Sequence, residues 1–167
     1  CGTQPTAATA LETIQQPKTG NYEDWELIQQ TRQENPVSES TFTALDHFAY
    51  TTAAQVLGED ADGSYSPLSL YYALALAATG AAGETQTQML DLLGISDPAQ
   101  LSDQCAKLYR LLSRDNEVGT LRLANSLWMD QRVDWKQSFV TQAAQDFYAE
   151  VYQVDFTTDE APQAMAL

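Results

Sequence analysis

The sequence predicts an α+β fold, and two changes in the spacing of its apolar residues carry that prediction. Between residues 38 and 114 apolar side chains recur every three or four positions, which is the period of a helix with one buried face. Residues 121–130 and 149–156 instead alternate apolar and polar side chains, as half-buried strands do. A further helical stretch separates these two strands. The order indicates several helices joined to part of a sheet.

The first 37 residues are predicted to be a flexible tether, and a folded domain is expected over residues 38–167. The tether is polar and is interrupted by three prolines and two glycines, so it offers little apolar surface for a core. Residues 23–30 leave two interpretations open, a short helix or a linker with one apolar turn.

Two helices are predicted at the start of the domain. The first covers residues 38–57 and has an amphipathic pattern. The second begins with Ser66 as N-cap and Pro67 in the first helical position, and it is apolar on every side. Its apolar run of roughly a dozen residues is shorter than the roughly 20 that span a bilayer, which predicts burial within a protein core.

Two more helices should follow before the strands. A short one over 85–93 is predicted to begin with a capping box made by Thr85 and Gln88. The next runs from Pro98 to about residue 114 and carries Cys105 on or near its apolar face, where a small buried hydrophobe is expected.

The last part of the chain is expected to alternate strand and helix. After the strand at 121–130, a helix should start near residue 134 and bury Trp135 and Phe139, and the strand at 149–156 should follow. The final residues resemble the first turn of one more helix. Because two strands alone do not make a stable sheet in water, the sequence predicts an incomplete fold.

Charge and cysteine content restrict the classes of partner. The chain carries 23 acidic and 8 basic residues, for a net charge of −15 and a pI of about 4.1. Such a charge disfavours binding to nucleic acid or to an anionic membrane surface and suits a protein outside the cell. Two cysteines, Cys1 and Cys105, are too few for a disulfide scaffold.

No motif of catalysis or of metal binding occurs in the sequence, so the protein is not expected to be an enzyme. The chain has a single histidine, His47, and lacks HExxH, GxSxG, GxGxxG and P-loop patterns. One charge pattern leaves two interpretations open. Lys107, Arg110 and Arg114 form a basic stripe, which is either a polyanion site or a set of cations that complement the C-terminus of their helix.

Three consecutive segments resemble the serpin family of serine protease inhibitors. They are SPLSLYYALALAATGAAGETQTQMLDLLG at 66–94, LRLANSLWMD at 121–130 and YAEVYQVDF at 148–156, with an intervening helix that contains Phe139. The resemblance covers residues 38 to 167. It implies the N-terminal part of a serpin fold, with helices A to E and strands of the central sheet, incomplete without a C-terminal part.

The resemblance implies a protease inhibitor that works by a change of fold. A serine or cysteine protease cleaves a reactive loop, remains attached as an acyl-enzyme, and is displaced as the loop inserts into the central sheet. No cofactor is implied. Ser66 and Ser69 match the serines of the family's Ser-Pro-x-Ser, and Asn125 matches the asparagine of its strand motif. These are implied to be residues of the shutter, the region where the sheet opens.

The reactive loop lies beyond this sequence, so a missing C-terminal segment is expected to supply it. A non-inhibitory serpin that acts as a binding protein and an inactive truncated serpin remain as alternatives. The beginning, with Cys1 before Gly2 and a Thr/Ala/Gln/Pro stretch, resembles a mature bacterial lipoprotein. That resemblance implies an extracellular or cell-surface location with a lipid anchor on Cys1 as the contact with the membrane. The other interpretation of Cys1 is an incidental cysteine.

Overall fold

A computed structural model describes residues 8–57, 63–159 and 161–165. The chain divides into two compact units, a helical unit over 17–123 and a sheet unit made of 1–16 and 124–167. In chain order the elements are β1 (Ala8–Ala10), α1 (Trp25–Glu34), α2 (Glu39–Val56), α3 (Pro67–Gly80), α4 (Gly83–Leu93), α5 (Pro98–Leu112), β2 (Arg114–Asp115), β3 (Thr120–Leu121), β4 (Asn125–Asp130), α6 (Gln137–Asp146), β5 (Ala149–Val154) and α7 (Ala161–Met165).

The core of the helical unit surrounds two tyrosines of α3. Tyr71 packs edge-on against Phe48 of α2, with ring centroids 5.2 Å apart, and its hydroxyl donates to the carbonyl of Leu93 at 3.1 Å. Tyr72 donates to the carbonyl of Cys105 in α5 at 2.7 Å. Each ring therefore buries its apolar surface while its hydroxyl keeps a hydrogen-bond partner. The burial of Cys105 confirms its prediction as a core residue.

The two faces of α3 differ, and this corrects the prediction that the helix is buried all round. Tyr71, Tyr72, Ala75, Leu76 and Ala78 are buried. Every third or fourth residue is nevertheless exposed, namely Ser66, Ser69, Ala73, Ala77 and Gly80. We call these five residues the small face of α3. Exposure of an alanine side chain to water costs little free energy. Composition alone could therefore not distinguish an exposed alanine from a buried one.

Three helices begin with a side-chain N-cap, which confirms the prediction for Ser66. Side chains of Ser38, Ser66 and Asp97 cap α2, α3 and α5 as N-caps. The predicted capping box of α4 is wrong, because the helix begins at Gly83 and the side chain of Gln88 instead donates to Glu84 at 3.0 Å.

Gly94 ends α4 in the left-handed conformation, with φ of 71°. A Cβ at this position would lie 2.9 Å from the Cβ of Ala44. Glycine is therefore required twice, by the backbone angle and by the close approach of α2.

The sheet unit contains three strands in the order β1–β5–β4. β4 and β5 are parallel, with Asn125 opposite Ala149 and Asp130 opposite Val154, and α6 connects them as the crossover. Trp128 and Tyr152 stand opposite each other in this register, and their rings stack at 4.6 Å. β1 pairs with the other edge of β5 in the antiparallel sense.

The N-terminal segment is more ordered than a tether. Residues 8–10 form β1, so the prediction of a flexible segment is wrong there, because the partners that order them lie more than 140 residues away and leave no local signal. The open alternative at 23–30 is decided in favour of a helix, since α1 forms with Asp24 as its N-cap.

The later elements are shorter than the sequence predicts. The strand at 121–130 is broken between Leu121 and Asn125, and the last strand ends at Val154. The helix expected from residue 134 begins at Gln137, and Trp135 before it is 42% exposed instead of buried.

Candidate functional site: the start of α3 and of β4

Ser66 and Ser69 lie together at the start of α3. The hydroxyl of Ser66 accepts a hydrogen bond from the backbone N–H of Ser69 at 3.3 Å, and the two hydroxyls are 2.8 Å apart. Both side chains are exposed and begin the small face of α3. One hydroxyl thus caps the helix, and the pair retains hydrogen-bonding capacity towards a neighbour.

Asn125 is the first residue of β4 and belongs to the other unit. Its side-chain amide donates to the backbone carbonyl of Phe147 at 2.9 Å. Phe147 is the C-cap of α6, where carbonyl groups lack partners within the helix. Asn125 therefore connects the start of one parallel strand to the end of the helix that leads into the next. The geometry of all three residues is structural, and their role in a shutter stays a prediction.

Each of the three cations of the predicted stripe bonds to nearby residues of the chain. Lys107 forms an ion pair with Asp103 at 2.7 Å, and this hydrogen bond is the main cause that lowers the pKa of Asp103. Arg110 donates to the side chain of Asn35 at 3.1 Å. Arg114 donates to the carbonyls of Leu111 and Ser113, at the C-terminal end of α5. Of the three cations, Arg114 thus complements the C-terminus of the helix, and the polyanion site stays a prediction.

The two arginines of the stripe also line a cleft that the sequence did not indicate. The cleft has a volume of about 270 Å³ and lies between α1 with its preceding loop and the end of α5. Its walls include Arg110, Arg114, Lys18 and Arg32. Lys18 and Arg32 were missed because they lie in the stretch predicted to be a tether. The spacing of residues along α5 could reveal the stripe. It could not reveal the cations of α1 and its preceding loop, which only the fold brings close to the stripe.

Two further predictions concern metal binding and the membrane. Within residues 8–57, 63–159 and 161–165, no group of three or more His, Cys, Asp or Glu side chains is arranged to hold a metal ion. None of the helices in those ranges combines the length and the apolarity needed to cross a bilayer. Cys1, the predicted lipidation site, lies outside the described residues.

Comparison with known proteins gives relatives across most of the chain. A profile of the family described as Serpin (serine protease inhibitor) matches residues 43–166. Alpha-1-antiproteinase F of Cavia porcellus is 30% identical over 143 residues, which cover 81% of this chain and 34% of that protein. Serpin-Z7 of Hordeum vulgare is 32% identical over 107 residues, which cover 60% of this chain and 27% of that protein.

Solved structures show the same fold. The thermophilic serpin tengpin in its latent state matches with a TM-score of 0.66 and 24% identity, over 72% of this chain and 33% of that one. AtSerpin1 of Arabidopsis in its native stressed conformation matches with a TM-score of 0.61 and 22% identity, over 80% and 34%. The chain thus has the helices and sheet strands of a partial serpin fold, and it spans about a third or less of the length of these relatives. With its family profile matched over most of its length, the chain belongs to the serpin family.

Proposed function

We propose that this chain is the N-terminal part of a serpin that inhibits serine proteases by inserting a cleaved reactive loop into its central sheet. A C-terminal segment would supply that loop. The observation that carries the proposal is the small face of α3, five small exposed residues on a helix whose opposite face is filled by two tyrosines. A surface without bulky side chains lets a packed neighbour shift with little steric cost.

The roles of the three shutter candidates follow from their contacts. Ser66 and Ser69 offer short hydroxyls that can exchange hydrogen bonds between a closed and an open sheet. Asn125 holds β4 to the end of α6 at 2.9 Å from Phe147. β4 occupies one edge of the three described strands, so its outer side is available to a further strand.

A protease-trapping experiment on the full-length protein tests the proposal. The protein is incubated with serine proteases of different primary specificity, and the products are separated in SDS. We expect an adduct that resists SDS and contains both polypeptides, because the acyl-enzyme ester survives when the protease is distorted. A cysteine protease run in parallel tests whether the target class is wider.

Two outcomes would contradict inhibition and favour the alternatives. Cleavage without an adduct and without a gain in heat stability would indicate a non-inhibitory serpin that acts as a binding protein. A reading frame that stops directly after residue 167, with no second segment that copurifies, would indicate an inactive truncated serpin.

We also propose an extracellular or cell-surface location with a lipid on Cys1. The support is the sequence around that residue together with the strongly acidic composition. Mass spectrometry of the N-terminal peptide from native protein tests this proposal. We expect a diacylglycerol-modified cysteine, and an unmodified Cys1 would contradict the anchor.

A further inference from the structure

The N-terminal segment adds a strand to the sheet that the serpin resemblance did not indicate. β1 runs antiparallel to β5, with Ala8 opposite Val154 and Ala10 opposite Tyr152. The pairing continues one residue further, since the backbone N–H of Leu11 donates to the carbonyl of Val151 at 2.9 Å. The segment 8–11, which we call the edge segment, therefore covers one edge of β5.

The register determines which backbone groups face β5. Directly opposed residues of an antiparallel pair alternate between hydrogen-bonded and non-hydrogen-bonded. Because Leu11 bonds to Val151, the polar groups of Thr9 face Gln153, and the N–H of Ala10 points away from β5. The opposite side of β5 agrees with this assignment, since the carbonyl of Val154 accepts from the N–H of Gln131 beyond β4.

Side chains contribute little to this attachment. Thr9 and Ala10 are exposed, and Ala8 and Leu11 are half-buried. One side-chain contact follows the strand, a long hydrogen bond of 3.5 Å from Gln137 at the start of α6 to Glu12. Main-chain hydrogen bonds therefore carry most of the interaction, which is the way an extended peptide joins an exposed sheet edge.

We propose that the outer edge of β5 is an acceptor site for one extended strand, and that residues 8–11 of the same chain are its occupant. When the edge segment leaves, β5 exposes a row of unpaired N–H and C=O groups, to which β5 of a second copy can pair. The edge segment thus keeps the protein monomeric. This role of the edge segment does not depend on protease inhibition.

A matched pair of proline variants in the full chain tests the site. Thr9→Pro removes a donor that faces β5, whereas Ala10→Pro removes an N–H that points away. For Thr9→Pro we expect the amide of Gln153 to exchange with deuterium at least about tenfold faster, while the amides of Tyr152 and Val154, which face β4, stay unchanged. Light scattering should show dimers that form as concentration rises. Ala10→Pro should behave as the natural sequence does.

Addition of the segment as a separate peptide supplies a second test. A variant that lacks residues 1–11 should bind a labelled peptide of residues 8–14 in fluorescence anisotropy and should return to a monomer. The same peptide with proline in place of Thr9 should not bind. The proposal would be overturned if the two proline variants showed the same amide exchange and the same oligomeric state. It would also be overturned if the deletion variant were monomeric and did not bind the peptide. If circular dichroism shows that the deletion variant is unfolded, the comparison of Thr9→Pro with Ala10→Pro tests the proposal by itself.

Discussion

The helical unit and the sheet unit differ in the hydrogen bonds that their packed aromatic side chains make. In the helical unit, hydroxyls of Tyr71 and Tyr72 bond to carbonyls that lie 22 and 33 residues further along the chain. In the sheet unit, the stacked Trp128 and Tyr152 each bond to a residue only two positions away, in their own strand. β4 and β5 are joined instead by a six-residue main-chain ladder.

This difference agrees with the proposed change of fold. A buried polar group that loses its partner is costly, so long-range tyrosine bonds fix the helices against one another. A sheet held mainly by main-chain ladders can gain a strand at an edge, because the new ladder repeats the old one. The comparison predicts that removal of side chains damages the helical unit more than the sheet unit.

The largest effect is expected at Tyr71, which is 1% exposed. Tyr71→Ala should lower the free energy of unfolding by about 3–5 kcal/mol, because it leaves a cavity against Phe48 and orphans the Leu93 carbonyl. Denaturant unfolding measures this change. Tyr50→Ala is the matched control, since Tyr50 is 82% exposed and should change stability by less than about 0.5 kcal/mol. Similar losses of stability for both tyrosines would contradict the claim that the buried Tyr71 holds the helical unit together.

The next effect isolates a single hydrogen bond. Tyr72→Phe keeps the ring and removes the donor to the Cys105 carbonyl, so we expect a loss of about 1–2 kcal/mol with no change in the far-ultraviolet spectrum. An unchanged unfolding midpoint would show that this buried bond does not hold α3 to α5.

A smaller loss is expected for a side chain of the sheet unit. Asn125→Ala removes the bond to the Phe147 carbonyl, which should cost about 1 kcal/mol or less. Asn125→Asp has nearly the same size but lacks the amide donor, so it should be no more stable than the alanine variant. A loss as large as that of Tyr71→Ala would contradict the proposed difference between the units.

The smallest effect concerns an exposed ion pair after β4. Arg132 donates to the carboxylate of Asp130 from its guanidinium and its backbone N–H, and these hydrogen bonds lower the pKa of Asp130 to about 2. Because the folded pKa is depressed, the contribution to stability is present above the ordinary value of 3.8 and is lost as pH falls towards 2. A carboxyl titration by NMR should show this midpoint, and Arg132→Gln should raise the pKa of Asp130 towards the ordinary value, because it removes the guanidinium and keeps the backbone N–H.

The sequence was sufficient where signals are local. The cap at Ser66 was confirmed, because it acts within a few residues of its own position. The motif at 66–94 was long enough to indicate the family.

Features that depend on distant partners could not be predicted in this way. β1 forms only because β5 presents its edge, more than 140 residues later in the chain. The small face of α3 was hidden because Ala73 and Ala75 are the same residue type with opposite burial. Ser66 and Ser69 were found from the motif, and their mutual contact is geometry that the motif did not state.

A matched pair of leucine substitutions in the full-length protein tests most directly whether the small face of α3 takes part in the proposed change of fold. Ala75 is fully buried in the tyrosine core, so Ala75→Leu should overpack it and cost about 1–3 kcal/mol of stability. Ala73 lies on the small face, so Ala73→Leu should obstruct the proposed loop insertion. We predict that Ala73→Leu raises several-fold the number of inhibitor molecules consumed for each protease molecule inactivated. An unchanged stoichiometry for Ala73→Leu would contradict the account.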